Sequence, residues 1–527
     1  MSKEATDSTW SLRPWRDHLP PADTLEPSDL TVAGTLPRAW ASCWEGSPDA
    51  PLLKDVSSST DVPALARVDH RPGTWWTSAE FDTATRRAAA RLSGAGLLPG
   101  DRVLWSTGSS VATLIVHVAA LRAGLVVVPA NVAYTEREIA HIVSDVRPAA
   151  AVVDNVARGR WAARASDGPL MVVGPDLDLP EGEPGALDAA APDDAALICF
   201  TSGTTGAPKG AVLRHRNLLA ATESVRQAWR WTPEDRLVHC LPIFHAHGLC
   251  VGVYGTLLAG GSAVLLPGFE PGAVTDAIAF NHASLFFGVP TMYHRLVRSG
   301  RAGGLGRLRM CASGSAPLAA DLHRQVSSAI GMPLLERYGM TETVMNVSNP
   351  YEGARKPGTV GFPLPGVEVD LTADGEIVVR GPNVFDGYWE RPAATAEAFL
   401  PSDDGGRPWF CTGDLGTVDV DGYLTIKGRS KELIISGGYN VYPSEVEEVL
   451  LTHPAVGEVA VTGTPSDEWG EVVTAWVVAD GAAPSAEDLA AYTADRLASY
   501  KRPRVVHVVD ALPRNALGKV VRGQLGR

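Results

Sequence analysis

This sequence predicts an α/β fold, a largely parallel sheet with helices on both faces. Short apolar runs alternate with Ala-rich stretches of helical period, the rhythm of successive βα units. One such run, AALICF at 195–200, reads as a buried strand and leads straight into TSGTTGAPKG at 201–210, a segment of glycines and hydroxyls. The length, 527 residues, is enough for at least two domains with sizeable cores.

The elements follow in order. Residues 1–34 are polar and proline-punctuated, and read as an irregular arm without the apolar stretch of a signal peptide. Residues 78–95 form an amphipathic pattern that ends at a glycine, so a helix is expected there. Residues 111–130 are apolar enough to be weighed as a membrane span, but His117, Arg122, Gly124 and Pro129 interrupt them. A buried helix ending near Gly124 and a strand at 125–129 are expected instead. A helix at 135–146 with Thr135 as cap and a strand at 149–153 come next. Residues 168–194 are rich in proline, glycine and acid, and read as a surface connector.

Composition excludes several classes. The net charge of −14 argues against a broad nucleic-acid-binding surface. The six cysteines are scattered with no CxxC pair, which argues against a disulfide framework or a zinc site. A reducing cytoplasm, with no membrane insertion, is the expected setting.

The chemistry lies in three clusters. In 201–210, glycines let backbone N–H groups approach an anion, hydroxyls donate to phosphate oxygens, and Lys209 adds a mobile charge. The glycine-to-lysine spacing is not that of GxxxxGK[ST]. In ERYGMTET at 336–343, Tyr338 offers a ring for stacking on a base and Glu342 an oxygen for a hard cation such as Mg2+. TGD at 412–414 reads as a turn whose Asp414 carboxylate can accept two ribose hydroxyls, and Arg429 follows in GRSK. Near the end, LPRNALGK puts Lys519 directly after a glycine. Taken singly, these have ordinary structural readings as turns, caps and solvated charges.

Their order along one chain resembles the adenylate-forming superfamily of acyl-CoA synthetases, carrier-loading adenylation domains and beetle luciferases. The resemblance implies a large N-terminal domain, 35–428, of two α/β subdomains plus a small β-barrel, and a small mobile α+β C-terminal domain, 429–527. It implies ATP, Mg2+ and coenzyme A as cofactors. Carried over position by position, Thr201, Ser202, Gly203, Thr204, Thr205, Gly206 and Lys209 match the phosphate loop. Ser315, Ala316 and Pro317 match the adenine pocket, together with Glu336, Arg337, Tyr338, Gly339 and Thr341 of the second cluster. Glu342 matches the magnesium ligand, and Asp414 and Arg429 match the ribose contacts. Lys519 matches the lysine that reaches the α-phosphate and the substrate carboxylate. Lys431 falls at the family's hinge, where many relatives carry Asp. Gly437, Gly438 and Trp469 match the region used by coenzyme A.

A finer likeness concerns the acid. LPIFHAHGL, GVPTMYHRL, MCASGSAPL and RYGMTETVMNVSNP resemble malonyl-CoA synthetases. His245 matches a gating histidine of the superfamily. His247, Arg295 and Ser313 match the residues that hold the distal carboxylate in that group, with Met340 nearby in the motif. Cys311 and Ala312 stand where that group has bulkier residues, which implies a wider pocket, and Val347 stands where Thr is usual. The leading expectation is therefore a ligase for malonate, methylmalonate or a related small acid. Two alternatives stay open: an adenylating enzyme with another acid or anion, such as nitrite, and a non-CoA acceptor, or a non-catalytic nucleotide-binding protein. The expected partner is a small-molecule acid, with the chain a homodimer or a monomer.

Overall fold

The computed structural model describes residues 12, 15–18, 29–56, 73–182, 185–201, 208–402, 405–466, 468–515 and 519–526. Contacts divide them into two units, a larger one of Leu12–Val369 and Val379–Phe410 and a smaller one that takes Asp370–Val378 and the chain from Cys411 onward. This division differs from a single boundary at 428/429. The reason lies in hydrogen bonds within the smaller unit. Gly413 N–H donates to Glu376 Oε1 at 2.9 Å, Thr412 Oγ1 to Ile377 O at 2.7 Å, and Gly416 N–H to Gly375 O at 2.9 Å.

The larger unit holds two α/β sheets. In a nine-stranded sheet, Pro51–Asp55, Ser262–Leu265, Arg236–His239, Leu285–Gly288, Met310–Ser313 and Leu335–Tyr338 run parallel side by side. Antiparallel strands close both edges. In a six-stranded sheet, Met171–Val173, Ala150–Val153, Arg102–Ser106, Val126–Pro129 and Ala195–Thr201 are parallel, and Lys209–Arg214 is an antiparallel edge. The expected parallel α/β class is therefore present in both. The strand Met171–Val173 corrects the reading of 168–194 as connector alone.

The helices begin where local chemistry starts them. Ser78–Gly94 opens on a capping box in which Thr77 N–H donates to Glu80 Oε2 at 2.8 Å and Glu80 N–H to Thr77 Oγ1 at 3.2 Å. Its buried face, Phe81, Ala84, Thr85, Ala88, Ala89 and Leu92, repeats at helical spacing. Val111–Arg122 is buried on every side, as a helix between layers must be. Arg122 is tolerated there because Asp82 at 2.6 Å and Asp188 at 2.9 Å pair it. Among the described residues, no helix is long and apolar enough to cross a membrane.

The smaller unit carries a sheet in which Val456–Ser466 and Gly470–Ala479 form a long antiparallel pair. Ile434–Ser436 and Val505–Val508 flank that pair. Helices Pro443–Leu451 and Ala486–Ala494 accompany it, and Val446, Leu450 and Leu489 share one core with the sheet residues Val461, Val473 and Val477.

Candidate active site

Thr201 and Lys209 of the phosphate segment lie on adjacent antiparallel strands. Thr201 ends one strand and pairs with Lys209, which begins the next. Thr201 Oγ1 donates to Lys209 O at 3.4 Å. Gly210 is required by packing, because a Cβ there would lie 2.6 Å from Ile198 Cγ2. Ser202, Gly203, Thr204, Thr205 and Gly206 lie outside the described residues.

Glu342 sits in a tight turn after Leu335–Tyr338. A Cβ on Gly339 would lie 2.3 Å from Val344 O, so only glycine lets this turn close, with Thr341 half-buried inside it. Glu342 itself is buried, and Tyr388 Oη donates to its Oε1 at 3.0 Å. Among the described residues, no group of three or more His, Cys, Asp or Glu could hold a metal ion alone. A single buried carboxylate suits Mg2+, which binds through one or two carboxylates plus substrate phosphates. Tyr388 went unnoticed in the sequence; a lone Gly-Tyr pair gives no signal that its side chain reaches an acid 46 positions earlier.

The adenine residues lie along neighbouring strand ends. Ser315 and Ala316 are half-buried and Pro317 is exposed. Ser315 has φ +69°, a left-handed conformation unusual for a residue with a Cβ. Tyr338 is half-buried and its hydroxyl lies 4.0 Å from Met340 Sδ. Glu336 is buried, accepts from Leu318 N–H at 3.3 Å through Oε1, and has no partner at Oε2. Such an orphaned oxygen fits a ligand bearing an amino group. Burial pushes its carboxyl from 4.5 up to about 8, against the pull of that N–H. Between those values the folded chain keeps a proton that the unfolded chain has released, so stability falls as pH rises through the window. Glu336→Gln is expected to remove this fall. Its calorimetric gain over wild type is larger above the upper value than below the lower one; a gain independent of pH contradicts the assignment.

The acid-pocket residues separate into two places. His247 is buried in the π-helical turn His247–Val253, and its Nδ1 lies 3.1 Å from Ser315 Oγ. Its Nε2 has no partner, and neither has Ser313 Oγ. Its backbone N–H donates to His245 Nδ1 at 3.3 Å, which ties the half-buried His245 to the same turn. Arg337, counted with the nucleotide residues from its place in the motif, is also buried here. A Cβ on Gly314 would lie 2.4 Å from Arg337 Nε, so glycine makes room for the guanidinium. Nε and Nη2 are buried without partners. Burial lowers this guanidinium to about 9. His247 is held well below the usual histidine range, first by burial and then by Arg337. A histidine held neutral and a guanidinium with two partnerless nitrogens therefore lie in one desolvated region.

Arg295 makes no contact with them in this structure. It lies exposed on helix Pro290–Arg298, over the Phe269 ring at 4.9 Å. The buried face of that helix is Pro290, Tyr293 and Leu296, and Arg295 falls outside it. Cys311 turns into the hydrophobic core with Phe286 and Tyr293, so its smaller volume belongs to that core.

In the smaller unit, Asp414 and Arg429 are register partners on adjacent strands and pair at 2.9 Å. Asp414 lies within strand Trp409–Val418 rather than in a turn, and Gly413, at φ +72°, is the bend that the TGD pattern suggested. Lys431 is exposed in the short turn Ser430–Glu432. Lys519 is clipped through its backbone, where its N–H donates to Asn515 Oδ1 at 3.0 Å and its carbonyl accepts from Asn515 N–H at 2.8 Å. Arg522 anchors the same stretch by forking to Glu432 at 2.8 Å and Glu447 at 2.7 Å. The outer surface of Lys519 is exposed, yet the surrounding protein withdraws solvent from its ammonium and lowers its pKa. Arg429 lowers it further, while Glu432 and Asp414 act the other way. Gly437 and Trp469 are in contact, since Gly437 N–H donates to Trp469 O at 2.9 Å and a Cβ on Gly437 would meet the indole at 2.7 Å. Gly438 follows at the exposed tip with φ +82°, and Arg504 covers Trp469 at 3.8 Å.

Comparison with known proteins identifies the family. The AMP-binding enzyme family matches residues 52–389, and the AMP-binding enzyme C-terminal domain matches residues 445–519. A feruloyl-CoA synthase from an Amycolatopsis species is 38% identical over 470 residues, covering 86% of this chain and 94% of that protein. A malonate–CoA ligase from Arabidopsis thaliana is 35% identical over 485 residues, covering 82% and 79%. The ATP-bound crystal structure of MatB from Rhodopseudomonas palustris matches with a TM-score of 0.83 at 39% identity, covering 93% of this chain and 98% of that one. The chain belongs to the AMP-binding, adenylate-forming enzyme family. It is an ATP-dependent, AMP-forming acid–coenzyme A ligase, and ATP, Mg2+ and coenzyme A are the cofactors of its class.

Proposed function

We propose that this ligase activates a small dicarboxylic acid, malonate or methylmalonate, and joins it to coenzyme A. The observation that carries the reading is the buried guanidinium of Arg337, with Nε and Nη2 lacking partners and His247 near enough to feel its charge. An unpaired buried charge is costly, and a second carboxylate on the substrate is the partner that would relieve it. Arg337 would bind that carboxylate with its Nε and Nη2 edge, and His247 Nε2 would add a hydrogen bond. A feruloyl group has no second carboxylate and would leave Arg337 unpaired. For that reason the aromatic acid of the Amycolatopsis relative is the weaker reading.

The reacting carboxylate is a poor electrophile until it carries a leaving group. Its attack on the α-phosphorus of ATP forms the acyl adenylate and releases pyrophosphate. Lys519 would stabilise charge at that phosphorus, and Glu342 would hold Mg2+ against the phosphates. The coenzyme A thiolate then attacks the acyl carbon and AMP departs. Lys431 is the proposed pivot that withdraws Lys519 between the two steps. Gly437, Gly438 and Trp469 would then face the incoming thiol.

The test is AMP release from malonate, methylmalonate, butyrate and ferulate, with and without coenzyme A. Expected is coenzyme A-dependent turnover with malonate or methylmalonate well ahead of the other two. Preference for ferulate or butyrate overturns the dicarboxylate reading.

A further inference from the structure

One side chain joins two parts of the nucleotide site that the sequence keeps far apart. The Tyr388 hydroxyl donates to Glu342 Oε1 at 3.0 Å, and the same ring lies 5.2 Å below Lys209 Nζ. Its segment is laced to both partners through the backbone. Phe385 N–H donates to Glu342 O at 2.9 Å. On the other side, Val212 N–H donates to Gly387 O at 3.1 Å and Trp389 N–H to Gly210 O at 2.7 Å, which sets Tyr388 opposite Ala211. Gly387, at φ +152°, makes the passage possible, since a Cβ there would lie 2.5 Å from Thr395 Cγ2. Phe385 meets the Tyr388 ring edge-on at 4.9 Å and fixes its plane.

We propose that Tyr388 is a positioning residue that holds the carboxylate of Glu342 and the ammonium of Lys209 on one rigid platform. The metal-side and phosphate-side contacts of ATP thereby keep a fixed separation. The inference rests on reading Glu342 as the Mg2+ ligand. A carboxylate that binds Mg2+ through one oxygen must be oriented, and groups that orient metal ligands control metal affinity. The hydroxyl does this for Glu342. The ring supports Lys209 by a cation–π contact, a weaker effect at an exposed site.

Two variants separate the two roles. Tyr388→Phe keeps the ring and deletes the hydroxyl; Tyr388→Leu deletes both. Binding of ATP is measured calorimetrically with Mg2+ present and with EDTA, and Mn2+ binding is followed by electron paramagnetic resonance. Tyr388→Phe is expected to weaken Mn2+ binding, and to raise the half-saturating Mg2+ in pyrophosphate exchange, by about 10-fold. Its ATP affinity in EDTA and its KM for the acid stay at the wild-type value. Tyr388→Leu is expected also to lose ATP affinity in EDTA. Glu342→Gln serves as control. If Glu342→Gln weakens metal binding and Tyr388→Phe does not, the positioning role is wrong while the metal assignment stands. If Glu342→Gln leaves metal binding unchanged, the metal assignment fails and the proposal falls with it. A Tyr388→Phe protein that melts lower but binds Mn2+ normally has lost only packing, and that result also overturns the proposal.

Discussion

Replacing Lys519 with alanine is expected to abolish acyl-adenylate formation from acid and ATP while largely sparing thioester formation from pre-made adenylate. Negative charge accumulates at the α-phosphorus during attack by an anionic carboxylate, and a fixed ammonium offsets it only in that step. Loss of one such electrostatic partner typically costs about 10²–10³ in rate. The local structure supports a dedicated role. The backbone of Lys519 is clipped by Asn515 and its stretch is anchored by Arg522, so only the side chain is left to move. The lowered pKa of its ammonium reflects withdrawn solvent, and a less solvated cation acts more strongly on phosphate. ATP–pyrophosphate exchange reads the first half-reaction, and release of AMP from synthetic adenylate reads the second. Exchange within tenfold of wild type would remove Lys519 from the chemistry.

The second large effect is expected at Arg337. Deleting one partner of a buried ion pair costs about 3–5 kcal/mol because the other charge is left desolvated. That corresponds to a loss of about 10²–10³ in kcat/KM. Arg337→Ala is therefore expected to lower kcat/KM for malonate by that factor. Butyrate needs no partner and should lose far less, or gain. Without the substrate the balance reverses. Arg337 is buried with Nε and Nη2 lacking partners in the free protein, so Arg337→Met is expected to raise thermal stability while destroying dicarboxylate activity. Such an exchange of stability for function marks a site built for a ligand.

Much of this was legible in the sequence, for identifiable reasons. The cap at Thr135 fixed a helix start because its partner lies three residues on. Asp414 and Arg429 were legible as a pair because both belong to recognisable motifs, although the strand that carries them read as a turn. The acid pocket was harder. Arg295 had a motif, and it lies off the buried stripe of Pro290, Tyr293 and Leu296. Arg337 had no signal of its own. Glu336 and Arg337 are consecutive buried residues on a strand buried on both faces, where alternation carries no information. Tyr388 depends on a long-range contact that no local pattern encodes.

The central claim is that Arg337 sets the choice of acid. The most direct measurement is the ratio of kcat/KM for malonate to that for butyrate, determined side by side on wild type and Arg337→Ala. The ratio is expected to favour malonate in the wild type and to collapse by about 10²–10³ in the variant. A wild type that prefers butyrate, or a substitution that lowers both acids equally, would contradict it.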